Sequence, residues 1–239
     1  MLQKLYSQAG QDNWVIHDVF GGMSHGYFVD IGAAAGKYIS NTYALETRFK
    51  WSGICVEADP SSFEKLKANR SCHCVNACLD SEEREVVFTD GQGLYGGIVD
   101  AETDNKVLST PSKTIKTETL ATIFRRYNCP NTIHYLSIDV EGAEERVMGG
   151  FPFKTHNFLS ATIERPSRGL RQLLGDNGYL LVAELPDLDA FYIHSSMKSA
   201  YTRRALAYSE GRSDNLVKRL ASYAATSWRI GLRETLARL

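Results

Sequence analysis

Phe28-Val-Asp-Ile-Gly-Ala-Ala-Ala-Gly36, followed by Val56-Glu57-Ala58-Asp59-Pro60, reads as the first half of a nucleotide-binding α/β unit. A short apolar run, Tyr27 to Ile31, ends in a glycine-containing turn, and a segment with helical character starts near Ser40. A second apolar run, Gly53 to Val56, ends in an acid 25 positions after Gly32. Strand, glycine turn, helix, strand and acid is the order such units require. A carboxylate at the second strand tip suits the paired hydroxyls of an adenosine ribose. Dinucleotide sites use three glycines to bring backbone amides to a pyrophosphate. Here Ala34 replaces the middle glycine and Asp30 sits at the strand tip. A carboxylate there repels a pyrophosphate and attracts a cation, which favours S-adenosylmethionine over NAD. The bland alternative is a turn that only packs a helix on a strand.

Outward from this unit, the apolar spacing predicts a lead-in helix over Gln11 to Phe20, with Ser40 as N-cap of a helix carrying Tyr43 to Phe49. Asp59-Pro60 opens a third helix. His73 to Leu79 and Glu85 to Thr89 read as short strands, and Asp90 to Thr114 as a glycine-rich loop or loose hairpin. Glu118 to Tyr127 is a helix. Ile133 to Asp139, Phe158 to Glu164, Gly178 to Glu184 and Ala190 to His194 are strands, with helices after Val140 and over Arg168 to Leu174. The expected fold is α/β, a class I Rossmann-like sheet of seven mostly parallel strands with an antiparallel edge strand, plus a helical C-terminal extension. Asp30, Glu57, Asp139 and Glu164 then fall at four carboxyl ends, where such sheets bind ligands.

With 239 residues, 43% hydrophobic and 23% charged, the chain suits one large domain. The net charge of −1 is uneven: residues 198–239 hold nine Lys and Arg against three Asp and Glu, leaving residues 1–197 at −7. The expected division is residues 1–197 as catalytic domain and 198–239 as a basic helical extension. That acidic domain disfavours nucleic acid as a partner. No apolar run reaches the ~20 residues of a membrane span, and the start lacks a signal-peptide core, so a cytoplasmic protein with reduced thiols is expected. Cys72, Cys74 and Cys78 lack the paired knuckles of a zinc site. Leu216 to Leu232 recur at helical spacing, which suits packing on the domain or homo-oligomer formation; a basic helix on an anionic membrane is the weaker option.

Five blocks carry a family resemblance: Ser7-Gln8-Ala9-Gly10-Gln11-Asp12, Phe28-Val29-Asp30-Ile31-Gly32-Ala33, Ser40-Asn41-Thr42-Tyr43-Ala44-Leu45-Glu46, Cys55-Val56-Glu57-Ala58-Asp59-Pro60 and Ile138-Asp139-Val140-Glu141-Gly142-Ala143-Glu144. In order and content they resemble the FkbM-type S-adenosylmethionine-dependent methyltransferases, over residues 5–195. Ser137 departs from the family, which usually carries Lys there. The resemblance implies methyl transfer to a hydroxyl of a sugar, glycan or polyketide-like metabolite. By matched position it implies Asp30, Gly32 and Ala33 at the methionine end of the cofactor, Glu57 at the ribose, Ala77 and Cys78 at the adenine, and Gln8 and Asn41 as further polar contacts. Helix capping is an equal alternative for Asn41.

Methyl transfer to an alcohol needs alignment and removal of a proton. Asp139 and Glu141, after the fourth strand of the sheet, are the candidate catalytic acids; capping the next helix is their structural alternative. His194 is a weaker candidate base. Asp139 and Glu164 at adjacent strand ends raise Mg²⁺ as a further option, but no third ligand is evident and no metal ligand is assigned. Gly91 to Gly97, with Leu94 and Tyr95, offers a segment that could close over a substrate. Methylation of an amine or peptide group, or a cofactor-binding scaffold without turnover, are the competing functions.

Overall fold

A computed structural model describes residues 6–89, 96–101, 103–105, 112–209 and 221. The chain enters through one α-helical turn, α1 (Gln11–Asn13), which widens into a π-helix over Trp14–Val19. The Phe20 N–H bonds the Val15 carbonyl at 3.1 Å, the five-residue step that defines the wider coil. There follow β1 (Tyr27–Ile31), α2 (Tyr43–Phe49), β2 (Ser52–Glu57), α3 (Pro60–Asn69), β3 (His73–Asn76), β4 (Cys78–Leu79), β5 (Glu85–Thr89), β6 (Gly97–Ile98) and β7 (Ser112–Glu118). The second half runs α4 (Leu120–Arg126), β8 (Thr132–Ile138), α5 (Glu144–Gly149), β9 (Asn157–Glu164), α6 (Arg168–Asp176), β10 (Tyr179–Glu184), β11 (Asp189–His194) and α7 (Lys198–Ser209).

The main sheet has seven strands in the order β10-β11-β9-β8-β1-β2-β3. β3, β2, β1, β8 and β9 pair in parallel, while β11 runs antiparallel to both β9 and β10, so the edge pair is antiparallel as expected. β1 is central because its residues are apolar on both faces: Phe28 packs with Trp14, Leu45 and Phe191 on one side, and Val29 and Ile31 with Leu136 and Phe158 on the other. Burying a side chain of Phe or Ile size contributes about 1.5–3 kcal/mol each. α7 packs on the π-helix, where Trp14 Nε1 donates to the Tyr201 hydroxyl at 3.3 Å and Arg204 Nη1 to the Val19 carbonyl at 2.5 Å. No helix among the described residues is long and apolar enough to cross a membrane.

Three expectations change. His73 to Leu79 is two strands: β3 joins the main sheet, and Cys78–Leu79 crosses to a second sheet of order β4-β7-β5-β6. Asp90 to Thr114 is not loop throughout, since it holds β6 and the start of β7. β7 escapes notice because Ser112-Lys-Thr-Ile-Lys-Thr-Glu118 is mostly polar and solvent-facing, and it forms by pairing with β5. α2 begins at Tyr43, and Ser40 serves it from three residues earlier, its Oγ accepting from the Tyr43 N–H at 3.1 Å. Residues 91–95 of the proposed covering segment and the amphipathic run 216–232 lie outside the described residues, apart from residue 221.

Candidate active site

Parallel pairing of β2, β1, β8 and β9 brings their carboxyl ends to one edge, and a cavity opens there. Gly32 follows β1 at φ 79°, where its N–H donates to the Val56 carbonyl at 3.0 Å and a Cβ would overlap the Asp139 carbonyl oxygen. Only glycine tolerates both the backbone angle and that approach. Ala34 continues the turn at φ 46°, and its N–H donates to Glu57 Oε2 at 2.7 Å. Glu57 Oε1 accepts from the Asp59 N–H at 2.8 Å. Glu57 therefore ties the β2 tip to the glycine turn, and each carboxylate oxygen keeps a second lone pair. Burial raises its pKa, against the opposing pull of these amides.

Asp30 is buried beneath the same turn. Its carboxylate accepts from Thr42 Oγ1 at 2.6 Å and from the Ser137 hydroxyl, and the Arg70 guanidinium lies nearby. Burial still lifts its pKa above the ordinary carboxylate value. Arg70 is the hub: Nη1 donates to the Gly36 carbonyl at 3.1 Å and to Ser40 Oγ at 3.3 Å, Nη2 to Thr42 Oγ1 at 2.9 Å, and Nε to Glu46. Asn41 Nδ2 donates to Ser137 Oγ at 3.0 Å, while Asn41 Oδ1 is buried without a protein partner. The Ser137 position that departs from the family is thus filled by a small hydroxyl bridging Asp30 and Asn41.

At the tips of β8 and β9, Asp139 and Glu164 hydrogen-bond through their carboxyl groups. Burial, then the Glu164 charge, hold Asp139 well above the usual carboxylate range. Glu141 follows at φ 54°, an uncommon left-handed angle for a side-chain-bearing residue. Its pKa is pushed up to about 7, by burial first and then by Glu164, with Arg165 opposing. Glu144 Oε1 accepts from the Val140 and Gly142 N–H groups at 3.1 and 3.2 Å, so the helix-capping duty falls to Glu144 and leaves Glu141 free of it. Asp189 pairs in register with Glu164, accepts from Gln11 Nε2, and is raised to about 7, chiefly by burial.

Asp30, Gly32, Ala33, Asn41, Glu57, Ala77, Cys78, Asp139 and Glu141 all line the cavity. Gln8 does not; its neighbour Gln11 reaches Asp189 instead. His194 also lies elsewhere: β11 runs antiparallel, so its last residue points to the opposite end of the sheet, where Nδ1 meets Ser196 Oγ at 2.7 Å. The same reversal delivers Asp189, the first residue of β11, to the acid cluster. Arg70, Phe88, Ile98 and Asp189 were not foreseen. Phe88 and Ile98 come from the second sheet and join Leu79 and Cys78 in an apolar wall.

The cavity contains about 1000 Å³ of space, open solvent at its mouth included. Its wall carries five carboxylates, Asp30, Glu57, Asp59, Asp139 and Glu141, and no Lys or Arg among the described residues. That lining fits S-adenosylmethionine. The partnerless Asn41 Oδ1 suits an ammonium donor, the open lone pairs of Glu57 suit ribose hydroxyls, and the Cys78 wall suits an adenine ring. Among the described residues no group of three or more His, Cys, Asp or Glu is placed to hold a metal ion.

Comparison with known proteins bears on this geometry. The methyltransferase FkbM domain model matches residues 30–181. Similar solved structures include a methyltransferase FkbM from Methylobacillus flagellatus KT, at 14% identity and TM-score 0.46, with 71% of this chain and 44% of that one covered. Others are a TehB-like SAM-dependent methyltransferase from Corynebacterium glutamicum (8%, TM-score 0.44, 81% and 89% covered) and the N-terminal domain of human METTL16 (13%, TM-score 0.44, 82% and 72% covered). The chain spans less than half the length of the Methylobacillus protein. Comparison with curated proteins gives no match. With more than half of its length matched by one domain model, from the Asp30 strand tip through the acid cluster to β10, the chain belongs to the FkbM family of methyltransferases.

Proposed function

We propose that the chain transfers the methyl group of S-adenosylmethionine to a hydroxyl of a small metabolite or glycan, of sugar or polyketide-like chemistry. The observation that carries this reading is the cavity wall of five acidic side chains without a Lys or Arg among the described residues. Such a wall attracts a cationic cofactor and repels phosphates, which also argues against a nucleic-acid acceptor. Bound there, S-adenosylmethionine supplies a methyl carbon activated by the neighbouring sulfonium.

The chain's own residues align the acceptor and take its proton. Glu141, with a pKa near 7, is partly ionised at neutral pH and lies at the mouth of the β8–α5 turn. It would accept the proton of the acceptor hydroxyl, whose oxygen would take the methyl group that a bound cofactor supplies. Asp139, held well above the usual carboxylate range by burial and the Glu164 charge, leaves proton removal to Glu141. The division at residue 197, self-association through the extension, and a cytoplasmic setting belong to the same proposal.

A transfer assay with methyl-labelled S-adenosylmethionine, run over neutral polyols, sugars, phenols and amines, tests this reading. The expected product is a labelled ether, and Glu141→Gln lowers its rate by about 10²–10⁴. Label on amines alone would overturn it.

A further inference from the structure

Arg165 lies outside the cavity wall, yet it touches three of the acids that surround the reacting end. Its guanidinium stands 2.5 Å from Asp104 Oδ2, 3.1 Å from Glu164 Oε2 and 3.6 Å from Glu141 Oε2. These acids belong to three separate segments: the stretch after β6, the turn after β8 and the tip of β9. The Asp104 N–H donates to the Glu141 carbonyl at 3.0 Å, so the same stretch is fastened to Glu141 twice, once by backbone and once through Arg165. Gly142 is required for this contact, because a Cβ there would press on the Asp104 backbone. Glu141 (φ 54°) and Arg165 (φ 36°) both hold left-handed backbone, a conformation that persists only where the surroundings impose it.

We infer that Arg165 is a positioning residue: its guanidinium fixes the Glu141 carboxylate at the reacting end of the cavity and latches the Asp104 stretch over it. This rests on the reading of Glu141 as proton acceptor. The groups facing Glu141 are Asp139 at the tip of β8, Glu144 of α5, Glu164 and Arg165 at the tip of β9, and Asp104. Among them Arg165 is the cation. Burial first, then the Glu164, Asp104 and Glu144 carboxylates, raise the proton affinity of Glu141, and Arg165 opposes them. A Glu141 without that cation would stay protonated further above neutral pH and would be a poor proton acceptor at pH 7.

The test is an NMR titration of side-chain carboxyl-labelled glutamate in the full chain, with the Glu141 signal assigned by its loss in Glu141→Gln. It needs neither cofactor nor acceptor, so its outcome is separate from that of the transfer assay. Arg165→Gln is expected to move the Glu141 midpoint up by about 0.5–1 pH unit, and Asp104→Asn to move it down. Arg165→Lys is expected to restore most of the wild-type midpoint, and the Arg165→Gln shift to shrink in 1 M salt. Opposite shifts from the two neutral variants mark charge coupling, since mere loosening moves both alike. An unmoved midpoint in folded Arg165→Gln, or shifts of the same sign, would overturn the inference. If Arg165→Gln does not fold, Arg165→Met is titrated in its place: an upward shift supports the inference and an unmoved midpoint overturns it.

Discussion

The Thr42 hydroxyl donates to Asp30 Oδ2 at 2.6 Å while its oxygen accepts from Arg70 Nη2 at 2.9 Å, so one side chain couples the acid under the glycine turn to a buried cation 40 residues on. Asp30 thus serves as wall of the cavity and as anchor of its floor. The fold holds the turn from below through Arg70 and from the side through Glu57.

Arg70→Met should therefore cost far more than a surface charge change. It removes the bonds to Gly36, Ser40 and Thr42 and strands two acids, Asp30 and Glu46. Breaking a buried pair from one side costs about 3–5 kcal/mol. Urea unfolding should show a loss of that size, and Asp30→Asn added to Arg70→Met should recover part of it. A loss below about 1 kcal/mol contradicts the hub.

Stability should fall as pH rises from about 4 to 7. Glu141 and Asp189 titrate near 7 in the folded protein against ordinary values of 4.5 and 3.8. Groups whose folded pKa is raised bind protons more tightly when folded. Their contribution is fully present below the unfolded pKa and is lost as pH climbs through the folded one. Asp30, Asp139 and Glu144 are shifted in the same direction. Unfolding free energies measured from pH 4.5 to 7.5 should decline, with a shallower slope in Asp189→Asn. A rise over this interval contradicts the buried-acid account.

Gly32→Ala should disable the site while leaving most of the sheet intact. The new methyl meets the Asp139 carbonyl and the left-handed angle at once. The expected loss of stability is about 1–3 kcal/mol, with loss of cofactor binding measured by titration at a temperature where the variant is folded. Unchanged binding would show that the β1–β8 approach does not shape the cavity.

Much of this arrangement was legible in the chain itself, for a physical reason. Parallel strands place their last residues at one edge, so apolar runs ending in Asp30, Glu57, Asp139 and Glu164 report the site directly. Asp189 escaped because it begins a strand, and only reversal of β11 brings it to that edge. Arg70 escaped because a basic residue closing a helix looks solvent-bound, and its burial follows from packing of α3 against the glycine turn. Gln8 and Gln11 sit in one motif, and composition could not say which reaches the acids. β7 escaped because its polar residues form a strand through pairing with β5 and β4.

The proposed site holds a cationic nucleoside cofactor between the glycine turn and the acids. Calorimetric titration of S-adenosylmethionine into wild type, Glu57→Ala and Asp30→Asn, each verified as folded, reads that site without any acceptor. Wild type should bind, with at least about tenfold weaker binding by Glu57→Ala, the equivalent of 1.4 kcal/mol, and weakening in Asp30→Asn as well. No binding by folded wild type, or equal affinity in Glu57→Ala, would contradict it.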